Sequence, residues 1–325
     1  LNYKRTFLIG LAFLSICSFW QMYDNIIPLI LQNTYHLGET MTGAVMALDN
    51  VLAIFLLPVF GMLSDKVHTK LGRRMPFIVV GTILAVIFMM MLPMIDNAEK
   101  ARWATGGSFS NQVFFLGVLF LTLVSMGLYR SPAVALMPDV TPNHLRSRAN
   151  AVINLMGAVG GVYALIMIKV LVGKGETPDY LPLFSSIAAV MAIAVGILVI
   201  TIRENKLREE VEKAKAANAD TIEEKAMAEG VEAAGEIEAV GDTGEAKAFE
   251  EKQQTAKTES TKDMPKDVKR SMYFMLASIF LWFTAYNAVT TAFSRYTKVV
   301  WKMEGGSFAN CLMVATVAAI FSYIP

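Results

Sequence analysis

Long apolar stretches separated by short polar turns dominate this chain. Seven of them approach or exceed the about 20 residues needed to cross a hydrocarbon core about 30 Å thick. They are 6–32, 40–63, 76–95, 112–138, 149–172, 181–202 and 271–298, and an eighth begins near 307. In lipid only helices and closed barrels satisfy their own backbone polar groups. These runs are too long and too continuous for the roughly 10-residue alternating strands of a barrel. The pattern therefore predicts an all-α, polytopic membrane helix bundle. The first run is longer than a signal peptide's apolar core of about 7–15 residues and has no small-residue cleavage site at its end. The chain starts at Leu1 and stops at Pro325 inside an apolar run, so we expect a C-terminally truncated fragment.

Composition sharpens this picture by its unevenness. Of 325 residues 54% are hydrophobic, and mean hydropathy is +0.46. That is too apolar for a soluble globular enzyme. Residues 203–270 hold 13 of the 29 Lys/Arg and 18 of the 28 Asp/Glu, so the net charge of +1 conceals an acidic middle segment. Within it, 203–228 is rich in Ala, Glu and Lys, with Glu209, Glu210 and Glu212 near Lys213 and Lys215, which favours a solvated helix with pairs four apart. Residues 229–264 carry few large apolar side chains and cannot fold alone. We divide the chain into a six-helix half over 1–202, a charged linker over 203–270, and the start of a further helical unit over 271–325. The linker reads as a flexible tether or a regulatory docking segment. Cys17 and Cys311 lie in apolar runs and form no disulfide framework or zinc pattern.

Lys and Arg in short loops set orientation. Lys4, Arg5, Lys66, Lys70, Arg73, Arg74, Arg146 and Arg148 fall on one side, against Lys100, Arg102 and Lys174 on the other. The N-terminus and the 203–270 linker are therefore expected in the cytoplasm, with the protein multi-pass in the plasma membrane. His36, His68 and His144 sit in turns or loops and are expected to be solvated. The basic residues hug the membrane, which argues against nucleic acid as a partner. No nucleotide-binding or hydrolase motif is present, so neither an enzyme nor a cofactor is expected.

A weak repeat appears at a shift of 263. Phe19, Tyr23 and Asp24 correspond to Trp282, Tyr286 and Asn287, and Gly43 corresponds to Gly306. The repeat makes the seventh helix re-enter with the orientation of the first, as a parallel duplication of a six-helix unit requires. It predicts twelve helices in all.

The loop after the second helix is the most distinctive motif. It runs from Gly61 through Ser64-Asp65-Lys66 and Lys70 to Gly72-Arg73-Arg74-Met-Pro76-Phe77-Ile78. Gly61 lets a neighbouring helix approach, and Gly72 permits a tight turn. Asp65 suits a helix N-terminus. Arg73 and Arg74 are forked donors suited to a carboxylate, for which Asp139 at the end of the fourth helix is the candidate. The pattern G-x3-D-K-x5-G-R-R resembles the signature loop of the major facilitator superfamily. The longer form, with Ser64 before it and Pro76-Phe77-Ile78 after it, resembles the sucrose:proton symporters and the glycoside–pentoside–hexuronide:cation symporters. The stretch Pro138-Asp139-x-Thr141-Pro142-x3-Arg146-x-Arg148 fits the same pattern. The resemblance implies two six-helix halves around a central site, alternating access, and a cytoplasmic gate latch built from Gly61, Asp65, Lys66, Gly72, Arg73, Arg74 and Asp139.

Ionisable groups inside the spans mark the candidate chemistry, because each costs at least about 2.5–3.5 kcal/mol to insert. Asp24, Asp49 and Arg130 stand out, with Asp24 nearer the outer end. Beside them on the first helix lie Trp20, Gln21, Tyr23 and Asn25; the fifth helix offers Asn154, and the seventh Tyr286 and Asn287. Aromatic rings beside amides and carboxylates suit a sugar, whereas Arg130 equally suits a carboxylate substrate. The aromatics also fit ordinary packing, and the charged trio also fits a buried structural ion pair. Asp24, farther from Arg130, is the candidate proton site, with Asp49 and Arg130 as a gating pair. Relatives of the melibiose type use carboxylates on the first two helices for a cation, so the resemblance leaves Na+ beside H+ as the coupling ion. The expected function is secondary active transport of a sugar or glycoside with H+ or Na+, by a monomer in a lipid bilayer. The alternatives are a facilitator for an organic acid or drug, and a non-transporting scaffold or receptor.

Overall fold

The computed structural model describes residues 3–67, 69–105, 111–142, 145–173, 178–210, 213 and 266–322. Among them are the helices α1 (Tyr3–Asn33), α2 (Glu39–Lys66), α3 (Met75–Ala104), α4 (Gln112–Val140), α5 (Arg146–Leu171), α6 (Leu181–Thr201), α7 (Lys266–Val299) and α8 (Ala309–Ser322). A short helical stretch over 204–210 follows α6. Seven of these helices are long and apolar enough to cross a membrane. The one pairing of extended backbone among the described residues is an isolated bridge between Thr69 and Gly72.

Helix bounds follow the apolar runs closely except at α3, which continues nine residues beyond the predicted 95. Hydropathy marks where hydrocarbon ends, not where the helix does. The polar last turns are helical because Asp96 and Lys100 pair four residues apart, at 2.6 Å. Lys100 and Arg102, read above as loop residues, belong to that helix. Prolines at 28, 58, 93, 132 and 138 lie within helices, which neighbouring helices in a membrane bundle tolerate.

The chain falls into two compact units, Leu1–Glu212 with Thr290–Pro325, and Lys213–Val289. In the first, α1 is the central element, packed on α5 and α6, while α3 packs on α4 and α6, and α2 on α4. Lipid tails are as apolar as Leu, so this packing rests on close fit and interhelical hydrogen bonds. At Gly160 of α5 an added Cβ would run into the Leu14 carbonyl oxygen of α1. Beside it Ser18 Oγ donates to the Gly160 carbonyl at 2.9 Å. Deeper in the bundle Tyr129 Oη of α4 donates to the Ala12 carbonyl at 3.0 Å and lies 2.6 Å from Ser15 Oγ. The second unit contains the start of α7, where Trp282 and Tyr286 stack at 5.7 Å. Phe19 and Tyr23 of α1 stack at 6.0 Å with nearly the same interplanar angle, 21° against 20°. The two copies of the repeated aromatic pair thus share one geometry. The glycines of the repeat differ: nothing lies within 4 Å of where a Cβ of Gly43 would be, while Gly306 abuts the Ile168 carbonyl.

Candidate functional site: a charged latch and an intramembrane polar pocket

Arg74 organises the loop between α2 and α3. Its side chain is 7% exposed. Nε donates to Asp139 at 3.0 Å, Nη2 pairs with Asp65 at 2.6 Å, and Nη1 reaches the Gly61 carbonyl at 3.3 Å and Ser64 Oγ. One guanidinium thereby joins the end of α2 to the end of α4. Arg73 lies farther from Asp139, at 3.7 Å, and its Nε has no acceptor among the described residues. At Gly61 the helices approach closely: a Cβ there would sit 3.4 Å from Ser131 Oγ, which donates to the Leu57 carbonyl at 2.8 Å. Lys66 is exposed. Past α4, Arg146 donates to the Pro138 carbonyl at 2.8 Å and so satisfies one of the last carbonyls of that helix.

The anion at the start of α3 comes from an unexpected place. Glu204, two residues after the C-cap of α6, is fully buried. Its carboxylate accepts from the backbone N–H of Arg73 at 2.9 Å, Arg74 at 3.0 Å and Met75 at 3.2 Å. This is a charged cap on a helix N-terminus, where orphan donors and the helix dipole both favour an anion. Pro76 brings no N–H of its own. Gly72 has φ +124°, and a Cβ there would strike the Glu204 carboxylate, so the position demands glycine twice over. Asn205 adds bonds to the carbonyls of Thr69 and Lys70 at 3.1 and 3.2 Å.

The expectation of a solvated helix over 203–228 is therefore corrected at its start: Glu204 and Leu207 are buried, and 204–210 docks on the latch. The signal was present in Ile202 and Leu207, apolar residues flanking a charged run, both buried here. The Arg5–Glu210 pair, at 2.7 Å, is exposed and contributes little. Linker residues 211–212 and 214–265, with Glu212 and Lys215, lie outside the described residues, as do His68, His144 and Lys174. His36 is exposed and meets Trp103 edge-on at 5.3 Å.

Within the membrane, Trp20, Asp49, Asn50, Leu123, Gly127 and Arg130 line one small pocket between α1, α2 and α4. The Arg130 guanidinium lies over the Trp20 ring, 5.5 Å from its centroid, a cation–π contact between two partly buried side chains. Asp49 accepts from the Asn50 side-chain amide at 3.0 Å. Among the described residues neither Asp24, Asp49 nor Arg130 forms an ion pair within 4 Å, so Asp49 and Arg130 share the pocket without direct contact. Asp24 is close enough to Asp49 for the two charges to interact. The pocket's volume, about 40 Å3, holds a water or two rather than a sugar ring.

The flanking residues divide. Gln21 faces α5, with its Oε1 3.7 Å from where a Cβ of Gly161 would be. Tyr23 and Asn25 are buried in the bundle; Asn25 donates to the Gln21 carbonyl at 2.8 Å, and Tyr23 Oη has no hydrogen-bond partner among the described residues. Asn154 is exposed and does not line the pocket. Tyr286 and Asn287 lie on exposed turns of α7 in the second unit.

A second polar cluster, unforeseen from the sequence, closes the other end of the bundle. Buried Asp96 pairs with Lys100, whose Nζ also donates to the Pro178 carbonyl at 2.6 Å and lies over the Tyr180 ring. Asn97 donates to Asp179 at 2.7 Å, and Glu99 accepts from the Asn111 backbone at 3.0 Å. Burial, and then the charge of Asp96, pushes the hydroxyls of Tyr35 and Tyr180 well above the usual phenol range. The Asp96–Lys100 spacing was the available signal.

The family model of the Major Facilitator Superfamily matches residues 8–325. "Sucrose transport protein SUT3" of Oryza sativa subsp. japonica is 26% identical over 137 residues, covering 40% of this chain and 27% of that protein. "Sucrose transport protein SUC4" of Arabidopsis thaliana is 36% identical over 117 residues, covering 34% and 22%. "Lactose permease" of Klebsiella pneumoniae is 30% identical over 105 residues, covering 32% and 76%. The chain thus matches only about a quarter of the length of the sucrose transporters it is similar to.

Proposed function

The chain belongs to the Major Facilitator Superfamily, and from that premise we propose that it forms the first half, and the start of the second, of a sugar or glycoside:cation symporter working by alternating access. The observation that carries this reading is the convergence of Trp20, Asp49 and Arg130 on one intramembrane pocket, with Asp24 one turn above Trp20. Intramembrane charges without ion-pair partners are costly and need a purpose. A sugar packs its C–H face on Trp20 and its hydroxyls on Asp49 and Arg130. The water-sized pocket is one wall of the substrate site. Similarity to sucrose transporters and a lactose permease supports the sugar class.

In this reading Asp24, unpaired and apart from Arg130, takes the coupling H+ or Na+. The latch around Arg74, with Asp65, Asp139 and Glu204, holds the cytoplasmic side closed and opens when the halves rock. The N-terminus and the linker lie in the cytoplasm, and the protein works as a monomer in the plasma membrane.

The test is uptake by proteoliposomes carrying the complete transporter. Asp24→Asn is expected to abolish proton-driven uptake of the sugar and to leave counterflow intact; undiminished proton-driven uptake overturns the assignment. Arg130 favours a second reading, a carboxylate substrate held by the guanidinium. Uptake of organic acids but not of sucrose or lactose would select it. A variant with Asp24, Asp49 and Arg130 all neutralised that keeps a wild-type phenotype would instead mark a non-transporting scaffold.

A further inference from the structure

The end of the bundle opposite the latch holds a pair of cations that belong neither to the latch nor to the intramembrane pocket. From Thr290 onward α7 belongs to the same compact unit as α1–α6. There Arg295 and Lys298, three residues apart, share one helical face. Arg295 Nη1 reaches Asn33 Oδ1 at the end of α1 at 3.4 Å, and its Nε is buried with no acceptor among the described residues. Lys298 is partly buried and close enough to Arg295 and Lys100 to feel both charges.

Charges of one sign gathered in a partly buried place need counter-charge. The neighbouring carboxylates are already engaged: Asp96 by Lys100, Glu99 by the Asn111 backbone, and Asp179 by Asn97 and the Leu181 N–H. Among the described residues no carboxylate lies within ion-pair distance of Arg295 or Lys298. Two features fit an anion at the membrane boundary. Trp301 is half-exposed and meets Tyr296 at 5.7 Å and Phe293 at 6.3 Å, an aromatic group of the kind that sits at headgroup level. A forked guanidinium beside a lysine is also the donor set that phosphate oxygens take.

We propose that Arg295 and Lys298 form a binding site for a phosphate-type oxyanion, next to Asn33 at the bundle end opposite the latch. The phosphate of an anionic phospholipid and free inorganic phosphate share this chemistry.

The experiment is thermal unfolding of the whole chain in detergent, with inorganic phosphate, short-chain phosphatidylglycerol, or chloride at matched ionic strength. Phosphate or phosphatidylglycerol is expected to raise Tm by about 3 °C over chloride. The double variant Arg295→Gln/Lys298→Gln is expected to lose most of that shift. A shift with phosphatidylglycerol alone assigns the site to lipid, and one with both probes assigns it to the oxyanion itself. Lys298→Arg, which keeps the charge, retains the shift and guards against misfolding of the double variant. Equal shifts in chloride, no shift with either probe, or an undiminished shift in the double variant would overturn the proposal.

Discussion

Glu204→Gln removes one charge from the start of α3 while barely changing size. The native carboxylate accepts from three consecutive backbone N–H groups, and it is fully buried. Hydrogen bonds to a charged group contribute about 1.5–3 kcal/mol, and an N-cap residue typically about 1 kcal/mol. Gln keeps one acceptor oxygen but turns an amide N–H2 toward donors, so the expected local loss is about 2–3 kcal/mol. At about 1.4 kcal/mol per factor of ten, the amides of Arg73, Arg74 and Met75 should exchange hydrogen about 30- to 140-fold faster. Hydrogen exchange read by mass spectrometry on peptides spanning 69–78 measures this directly. The Arg74–Asp139 contact lies one side chain away, so protection at the end of α4 should fall too, by a smaller factor. Exchange at Arg73–Met75 within threefold of the native chain would refute the view that this carboxylate holds the helix start.

Two further outcomes follow from the packing and the polar ends. Gly160→Leu should separate α1 from α5, because even a Cβ collides with the Leu14 carbonyl; a loss of about 1–3 kcal/mol is expected, visible as a lower Tm, and no change would refute the close approach. Tyr35 and Tyr180 stay protonated in the folded protein above the ordinary phenol range. Unfolded tyrosines ionise near about pH 10, so the folded state binds more protons above that point and stability falls as pH rises past it. Tyr35→Phe/Tyr180→Phe should flatten that alkaline decline in a chemical denaturation series; an unchanged decline would assign it elsewhere.

The spans were legible because apolar length is a physical requirement of bilayer thickness, and all of α1–α7 follow from it. The latch was legible because its turn needs glycine at Gly72 and its fork needs Arg74. Its anion was not, because Glu204 is one of 18 acidic residues in a charged run, and only three-dimensional proximity to the start of α3 singles it out. The same limit hid the Asp96 cluster, whose partners Pro178 and Tyr180 lie some eighty residues away. Within the membrane, residue type identified Asp49 and Arg130, but side-chain direction decided that Arg130 lies over Trp20 rather than against Asp49. Asn154 shares a helix with Gly157 and Gly161 yet is exposed, since a glycine face buries by close approach and a longer side chain one turn away need not follow.

Helix α3 is gripped at both ends, by Glu204 at its start and by the bonds of Asn97 to Asp179 and of Lys100 to Pro178 near its finish. The two grips lie about 22 residues apart, or roughly 33 Å along the axis, close to the thickness of the hydrocarbon itself. A rod held this way has almost no axial play against its neighbours. When bilayer thickness varies, α3 cannot slide like a piston to keep its apolar length covered. The misfit has to be taken up by tilting the six helices together, or by the lipid. The mechanical unit here is the clamped bundle rather than any single helix.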